Sequence, residues 1–232
     1  LTYKKILECI TIDSKRIPSG EILITVLAEG VGQKKLIVRG SQKITSKQAG
    51  NVDILSKFTG VIIERKSGFD YLIESRKIES YLQIFLEDEK MLNLIFQFLR
   101  ILKISTQNLE SENEISYDEL KNTLFSPSSN KSKRILILWI ITNLIKNSGF
   151  YNFKYIERII KNNYKNIYFD DIKNIFVGEN QNFNKIQIDK KTLKLILILS
   201  RCKMNIAKKL LVEDFIVENS FNFLYKIASN IF

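Results

Sequence analysis

The chain has 232 residues, 45% of them hydrophobic, with 36 Lys and Arg against 25 Asp and Glu, a formal net charge of +11 and a pI near 9.5. That length supports two small domains with buried cores, and the charge favours anionic partners such as phosphodiester backbones or acidic protein tails. Cys9 and Cys202 are the only cysteines and histidine is absent, which excludes a Cys/His zinc set and a histidine general base within this sequence.

The composition is rich in Lys, Asn and Ile and poor in Arg. AT-rich coding alone produces that bias, so charge by itself does not select a partner. Two distant cysteines and no secretory pattern at the start lead us to expect a reduced, cytoplasmic protein. The longest apolar stretch, Ile135 to Ile145, is about half the roughly 20 residues needed to span a bilayer. It reads as a buried helix, and no membrane partner is expected.

In chain order, the first 80 residues carry β-branched runs with period-2 alternation, punctuated by Gly and Pro. They predict strands over about Tyr3 to Asp13, Glu21 to Ala28, Lys34 to Arg39, Phe58 to Arg65, and Tyr71 to Ile78. Turn chemistry separates them at Arg16 to Gly20, Glu29 to Gln33, and Lys66 to Asp70. The longer connection, Gly40 to Lys57, is polar and basic. Five short strands with one long interruption suit a five-stranded β-barrel of the OB type, which often binds single strands across its face and loops.

From Ser80 the period becomes helical, with Tyr81, Phe85, Leu92, Ile95, Phe96 and Leu99 at spacings near three and four. Further helices are expected around Tyr117 to Leu124, Arg134 to Asn147 with Gly149 as its stop, Phe153 to Asn162, Lys190 to Cys202, and Val212 to Ile231. The Asn- and aromatic-rich stretch Tyr164 to Gln187 suggests a small hairpin. The expected fold is therefore α+β: an OB-type barrel over residues 1–79, then an all-helical domain over 80–232, with a small hairpin near 164–187.

Between Val31 and Lys57, six cations, Lys34, Lys35, Arg39, Lys43, Lys47 and Lys57, face the single acid Asp53, a net charge of +5. Cations clustered on a barrel strand and its loop are suited to phosphates and give salt-dependent binding. An ordinary solvated face has the same composition. Rings at Tyr3, Phe58, Phe69 and Tyr71 are candidates for base stacking, although most aromatic residues of barrel strands fill the core. Lys131, Lys133 and Arg134 precede the most apolar helix and form a cationic mouth beside hydrophobic surface, suited to an acidic peptide ending in an aromatic residue or, more plainly, a solvated loop. Glu87, Asp88 and Glu89 are consecutive and spread around a helix, so they read as its solvated start. Neither a phosphate-binding loop nor a dinucleotide glycine fingerprint is present.

Ser19 to Glu29, Gly32 to Gly40, Ala49 to Ser56, Tyr71 to Tyr81, Leu144 to Tyr151 and Thr192 to Leu195, in that order, resemble the RecO family of bacterial recombination mediators. The resemblance implies single-stranded DNA as ligand, with double-stranded DNA a further candidate. It also implies RecR and the acidic SSB tail as partners, RecA as an indirect one, and no catalysis. Many relatives carry four zinc-ribbon cysteines where this chain has Tyr151 to Gln187 and no cysteine, so neither metal nor any other cofactor is expected. An acidic residue of many relatives is replaced by Ile140-Ile141. DNA contact is then expected at Lys34, Lys35, Arg39, Lys43, Lys47 and Lys57, and partner contact at Lys131, Lys133 and Arg134. Two other readings stay open: a protein-interaction scaffold whose charge is incidental, and an enzyme with a carboxylate pair assembled by the fold.

Overall fold

The computed structural model describes residues 4–41, 47–82, 88–105, 117–149, 153–162, 164, 167–170, 175–177 and 185–231. Strands β1 (Lys4–Arg16), β2 (Ile22–Ala28), β3 (Gly32–Val38), β4 (Ser56–Ile63) and β5 (Asp70–Ser80) close into a barrel in the order β1-β2-β3-β5-β4. All contacts round the ring are antiparallel except β3 with β5. This is the ring expected from the alternation. Strand β1 runs past its expected end because it serves two partners: a bulge between Thr11 and Asp13 bends it as it pairs β2 on one side and β4 on the other.

Alternation decides the barrel's contents. Cys9, Ile24, Val26, Leu36, Val38, Phe58, Ile62 and Leu72 point inward and are fully buried. The polar connection after β3 holds a short helix, α1 (Lys47–Asn51), and sends Val52 into the same core. Leu55, at φ +60, is held in the left-handed region by its N–H donating to the Thr11 carbonyl and its own carbonyl accepting from Tyr81 N–H. Gly60 of β4 is inward and has no room for a side chain: a Cβ there would lie 2.6 Å from Leu72 Cδ1 and 3.0 Å from Phe58 Cε2. Gly60→Ala is expected to destabilise the barrel by about 1–3 kcal/mol through overpacking, measured by urea denaturation.

Two compact units divide the chain, Leu1–Ser126 and Pro127–Phe232. The change from strand to helix falls near residue 80 as expected, but the next two helices, α2 (Glu89–Ser105) and α3 (Tyr117–Leu124), belong to the barrel's unit. Both pack on β1. Asp88 caps α2 by accepting from Met91 N–H at 3.0 Å, a structural use for part of the acidic run. Met91, Ile95, Phe98 and Leu102 form its buried stripe, whereas Phe96, expected on that stripe, is exposed. Glu87 and Phe85 lie outside the described residues.

The second unit is built on α4 (Asn130–Asn147), apolar all round and buried from Ile135 to Ile141. Helices α5 (Phe153–Lys161), α6 (Lys190–Leu199), α7 (Met204–Ala207) and α8 (Asp214–Ile231) complete its helical part. Trp139 Nε1 donates to the Cys202 carbonyl at 2.9 Å, and Lys146 Nζ to that of Ser200 at 2.8 Å, tying the end of α6 to α4. The expected hairpin is formed by β6 (Ile167–Asp170) and β7 (Ile175–Val177), and β8 (Lys185–Ile188) pairs with the other edge of β6 to make a three-stranded sheet in the order β7-β6-β8. Phe169 buries edge-on against Phe223 of α8, with centroids 5.1 Å apart. Among the described residues, no helix is long and apolar enough to cross a membrane.

Candidate nucleic-acid interface

Strand register aligns Lys4, Ile63, Tyr71, Ile37 and Leu23 as one row across β1, β4, β5, β3 and β2. Their sequence neighbours Ile62, Leu72, Leu36 and Val38 are buried in the barrel, so the row lies on the outer side of the barrel wall, where Leu23 is itself buried. At its centre is Tyr71. Arg39, immediately after β3, is tied in place by its N–H donating to the Leu72 carbonyl at 3.0 Å. Its guanidinium lies 4.1 Å from the Tyr71 ring centroid. Arg65, just beyond β4, has its N–H bonded to Asp70 Oδ1 at 2.9 Å and its guanidinium 4.9 Å from the same centroid. Its Nη1 also donates to Tyr71 Oη at 3.1 Å.

Two permanent positive charges thus share one ring and are no more than about 9 Å apart. That is inside the Debye length of roughly 10 Å at 0.1 M salt, so they repel each other, and an anion between them relieves the repulsion. Each contact with the ring contributes about 0.5–1 kcal/mol at an exposed site and fixes where the guanidinium points. Lys35 is on the same outer side of β3, with no carboxylate at ion-pair distance among the described residues. In the β4–β5 turn, Lys66 is exposed and Phe69 is 43% exposed. This loop and the β3–β5 face together offer guanidinium, ammonium and ring to one ligand.

The other expected cations are distributed differently. Lys34 falls on the inward side of β3, where its ammonium is held 2.9 Å from Asp70 and 3.1 Å from Glu64, which also pairs with Lys5 at 3.0 Å. Burial works to lower its pKa, but the bonds to Asp70 and Glu64 outweigh it and raise it. A phosphate would have to displace two carboxylates to reach Lys34. Lys57 is 3.8 Å from Glu8 and over the Phe125 ring at 5.7 Å. Glu8 also accepts from Tyr117 Oη and lies 3.4 Å from Lys121. The Tyr117 bond, assisted by Lys57 and Lys121, holds the Glu8 carboxyl below the usual range against the effect of burial. Lys57 therefore helps dock α3 on the barrel. Lys43 lies outside the described residues, as does the side chain of Lys47 at the start of α1.

The expected cationic mouth is corrected in one respect. Ser129 caps α4, so Lys131, Lys133 and Arg134 stand in its first turns and not in a preceding loop. The helical turn carries Lys133 inward, to 4% exposure. Lys131 makes an exposed pair with Asp214 at 3.9 Å. A different part of the second unit has the concave surface: a groove of ≈ 670 Å³ lined by Tyr164, Ile188, Phe215 and Phe223 together with Lys190 and Lys226. Asp189, which also lines the groove, caps α6, accepting from Thr192 N–H at 2.8 Å. Burial raises the Asp189 pKa, but bonds from Thr192 and Asn219 bring it below its ordinary value.

Sequence reasoning missed Arg65 and the groove. The Arg65-Lys66 pair before a Gly turn was the available signal for the first; the second is assembled from β6, β8 and α8 and has no local signature. The chain matches no protein-family model, and no curated protein is similar to it.

Proposed function

We propose that the chain is a non-catalytic recombination mediator of the RecO kind, acting on DNA in the cytoplasm, at the nucleoid. It binds and anneals single-stranded DNA and, with RecR, helps load RecA onto strands coated by SSB. The observation that carries this reading is the Arg39–Tyr71–Arg65 cluster on the outer β3–β5 face of an OB-type barrel, with Lys35 on the same strand. Guanidiniums pre-oriented on a ring suit phosphates, and their planar faces suit bases. In the second unit, the groove with Lys190 and Lys226 among apolar walls suits an acidic tail ending in an aromatic residue, which is the SSB partner this reading requires. The buried Phe169–Phe223 pair supports the small sheet by packing, in the region where zinc-bearing relatives use metal.

The test uses a labelled oligo-dT strand and a peptide of several acidic residues ending in Phe. Both are expected to bind the full chain at once, and Lys226→Glu is expected to weaken the peptide about tenfold while leaving the strand unaffected. Peptide displacing strand from a single site would overturn the two-site reading, and peptide binding without any strand binding would leave an interaction scaffold.

A further inference from the structure

Charge is divided unevenly between the two units. Residues 1–126 hold 18 Lys and Arg against 17 Asp and Glu, while residues 127–232 hold 18 against 8. The densest part is 190–209, with seven cations and no acid. Lys191 is paired with Glu213 at 3.4 Å and Arg201 with Glu157 at 2.6 Å. Lys194, Lys203, Lys208 and Lys209 are exposed and meet no carboxylate among the described residues. So many ammonium groups without counter-charge among the described residues make this stretch an anion-attracting surface.

Apolar side chains are interleaved with these lysines. Ile198, Ile206 and Leu211 are 47%, 51% and 94% exposed. Helix α6 turns Leu193, Ile196 and Leu199 into its own unit and leaves Lys191, Lys194, Ile198 and Arg201 along the opposite side at helical spacing. The Lys191–Glu213 pair brings the end of the 200–213 connection back beside the first turn of α6, so that connection returns along the helix.

We infer that this α6–α7 surface is a second single-stranded nucleic-acid site, separate from the barrel face, with Lys194, Lys203, Lys208 and Lys209 on phosphates and the interleaved aliphatic side chains against bases. An anionic bilayer surface is less well suited. Interfacial binding favours a helix with one continuous apolar face, whereas the apolar face of α6 is buried. With a site on each unit, one chain can hold two strands. That two-strand consequence rests on the barrel reading, but the α6–α7 site itself does not.

The experiment compares the full chain with the quadruple variant Lys194→Gln, Lys203→Gln, Lys208→Gln and Lys209→Gln. Oligo-dT binding is followed across a salt series, together with energy transfer between donor- and acceptor-labelled oligo-dT held on one chain. Four lost phosphate contacts should reduce the magnitude of the logarithmic salt slope by about 3, at about 0.7 per contact for a single strand. Energy transfer should disappear while one strand remains bound. An unchanged slope and unchanged transfer would overturn the second site. So would loss of binding to phosphatidylglycerol vesicles with strand binding intact, which would assign the surface to a bilayer. Loss of all strand binding in the quadruple variant would keep this site and sink the barrel reading instead.

Discussion

Replacing Lys35, Arg39 and Arg65 together by Gln is expected to weaken single-strand binding by about 10- to 100-fold at 50 mM salt and to flatten the logarithmic salt slope by about 2. The effect should be large because the two guanidiniums are already oriented on Tyr71, at 4.1 and 4.9 Å, so little side-chain freedom is lost on binding. Fluorescence anisotropy with a labelled oligonucleotide measures both quantities. Lys34→Gln is the matched control. Its ammonium is committed to Asp70 and Glu64, so the slope should stay unchanged while the barrel loses stability, because two partly buried carboxylates lose a partner. A slope that changed with Lys34 and not with the triple variant would place the ligand at the barrel rim instead of on the β3–β5 face.

Phe58→Ala is expected to cost the barrel about 3–5 kcal/mol, measured by urea denaturation. Phe58 is fully buried among Cys9, Val26, Leu36 and Leu72 and contributes the largest side chain of that cluster. Its ring is also one of the two groups that a Cβ at Gly60 would strike. Combining Phe58→Ala with Gly60→Ala should therefore cost less than the two separate losses added together, since the cavity left by the ring accepts the new methyl group. Strict additivity would show that Leu72 alone sets the limit at Gly60.

The barrel was legible because alternation is a local property. Leu36 and Val38 differ from Lys35 and Ile37 in the way an inner face differs from an outer one, and the same holds for Phe58 and Ile62. The identity of the useful lysine was not legible at that level. Lys34 and Lys35 are adjacent and chemically identical, and only the pleat, with Glu64 and Asp70 brought from 30 and 36 residues away, separates a committed cation from an available one. Arg65 joined the site for the same kind of reason: it meets Tyr71 only once the β4–β5 turn has closed.

The helical half shows the same limit from the other side. Helix α4 starts at Asn130, four residues before its apolar run suggests, because Ser129 caps it, and that shift alone turns Lys133 from a solvated cation into a buried one. Helices α2 and α3 join the barrel's unit through Lys103 to Asp13 and Tyr117 to Glu8, contacts that span 90 and 109 residues. No window along the chain shows such contacts, so the change of period near residue 80 marks a change of secondary structure and not the boundary between units.

The central claim is that the barrel face holds single-stranded nucleic acid by charge. Its most direct test is the affinity for a labelled single-stranded oligonucleotide, across a salt series, of the chain carrying Lys194→Gln, Lys203→Gln, Lys208→Gln and Lys209→Gln, in which the barrel face is read without the α6–α7 lysines. The account predicts binding that is tight at low salt and falls steeply as salt rises, the mark of released counterions. Absence of binding at 50 mM salt, or affinity indifferent to salt, would contradict it and leave the second unit as the working part of the chain.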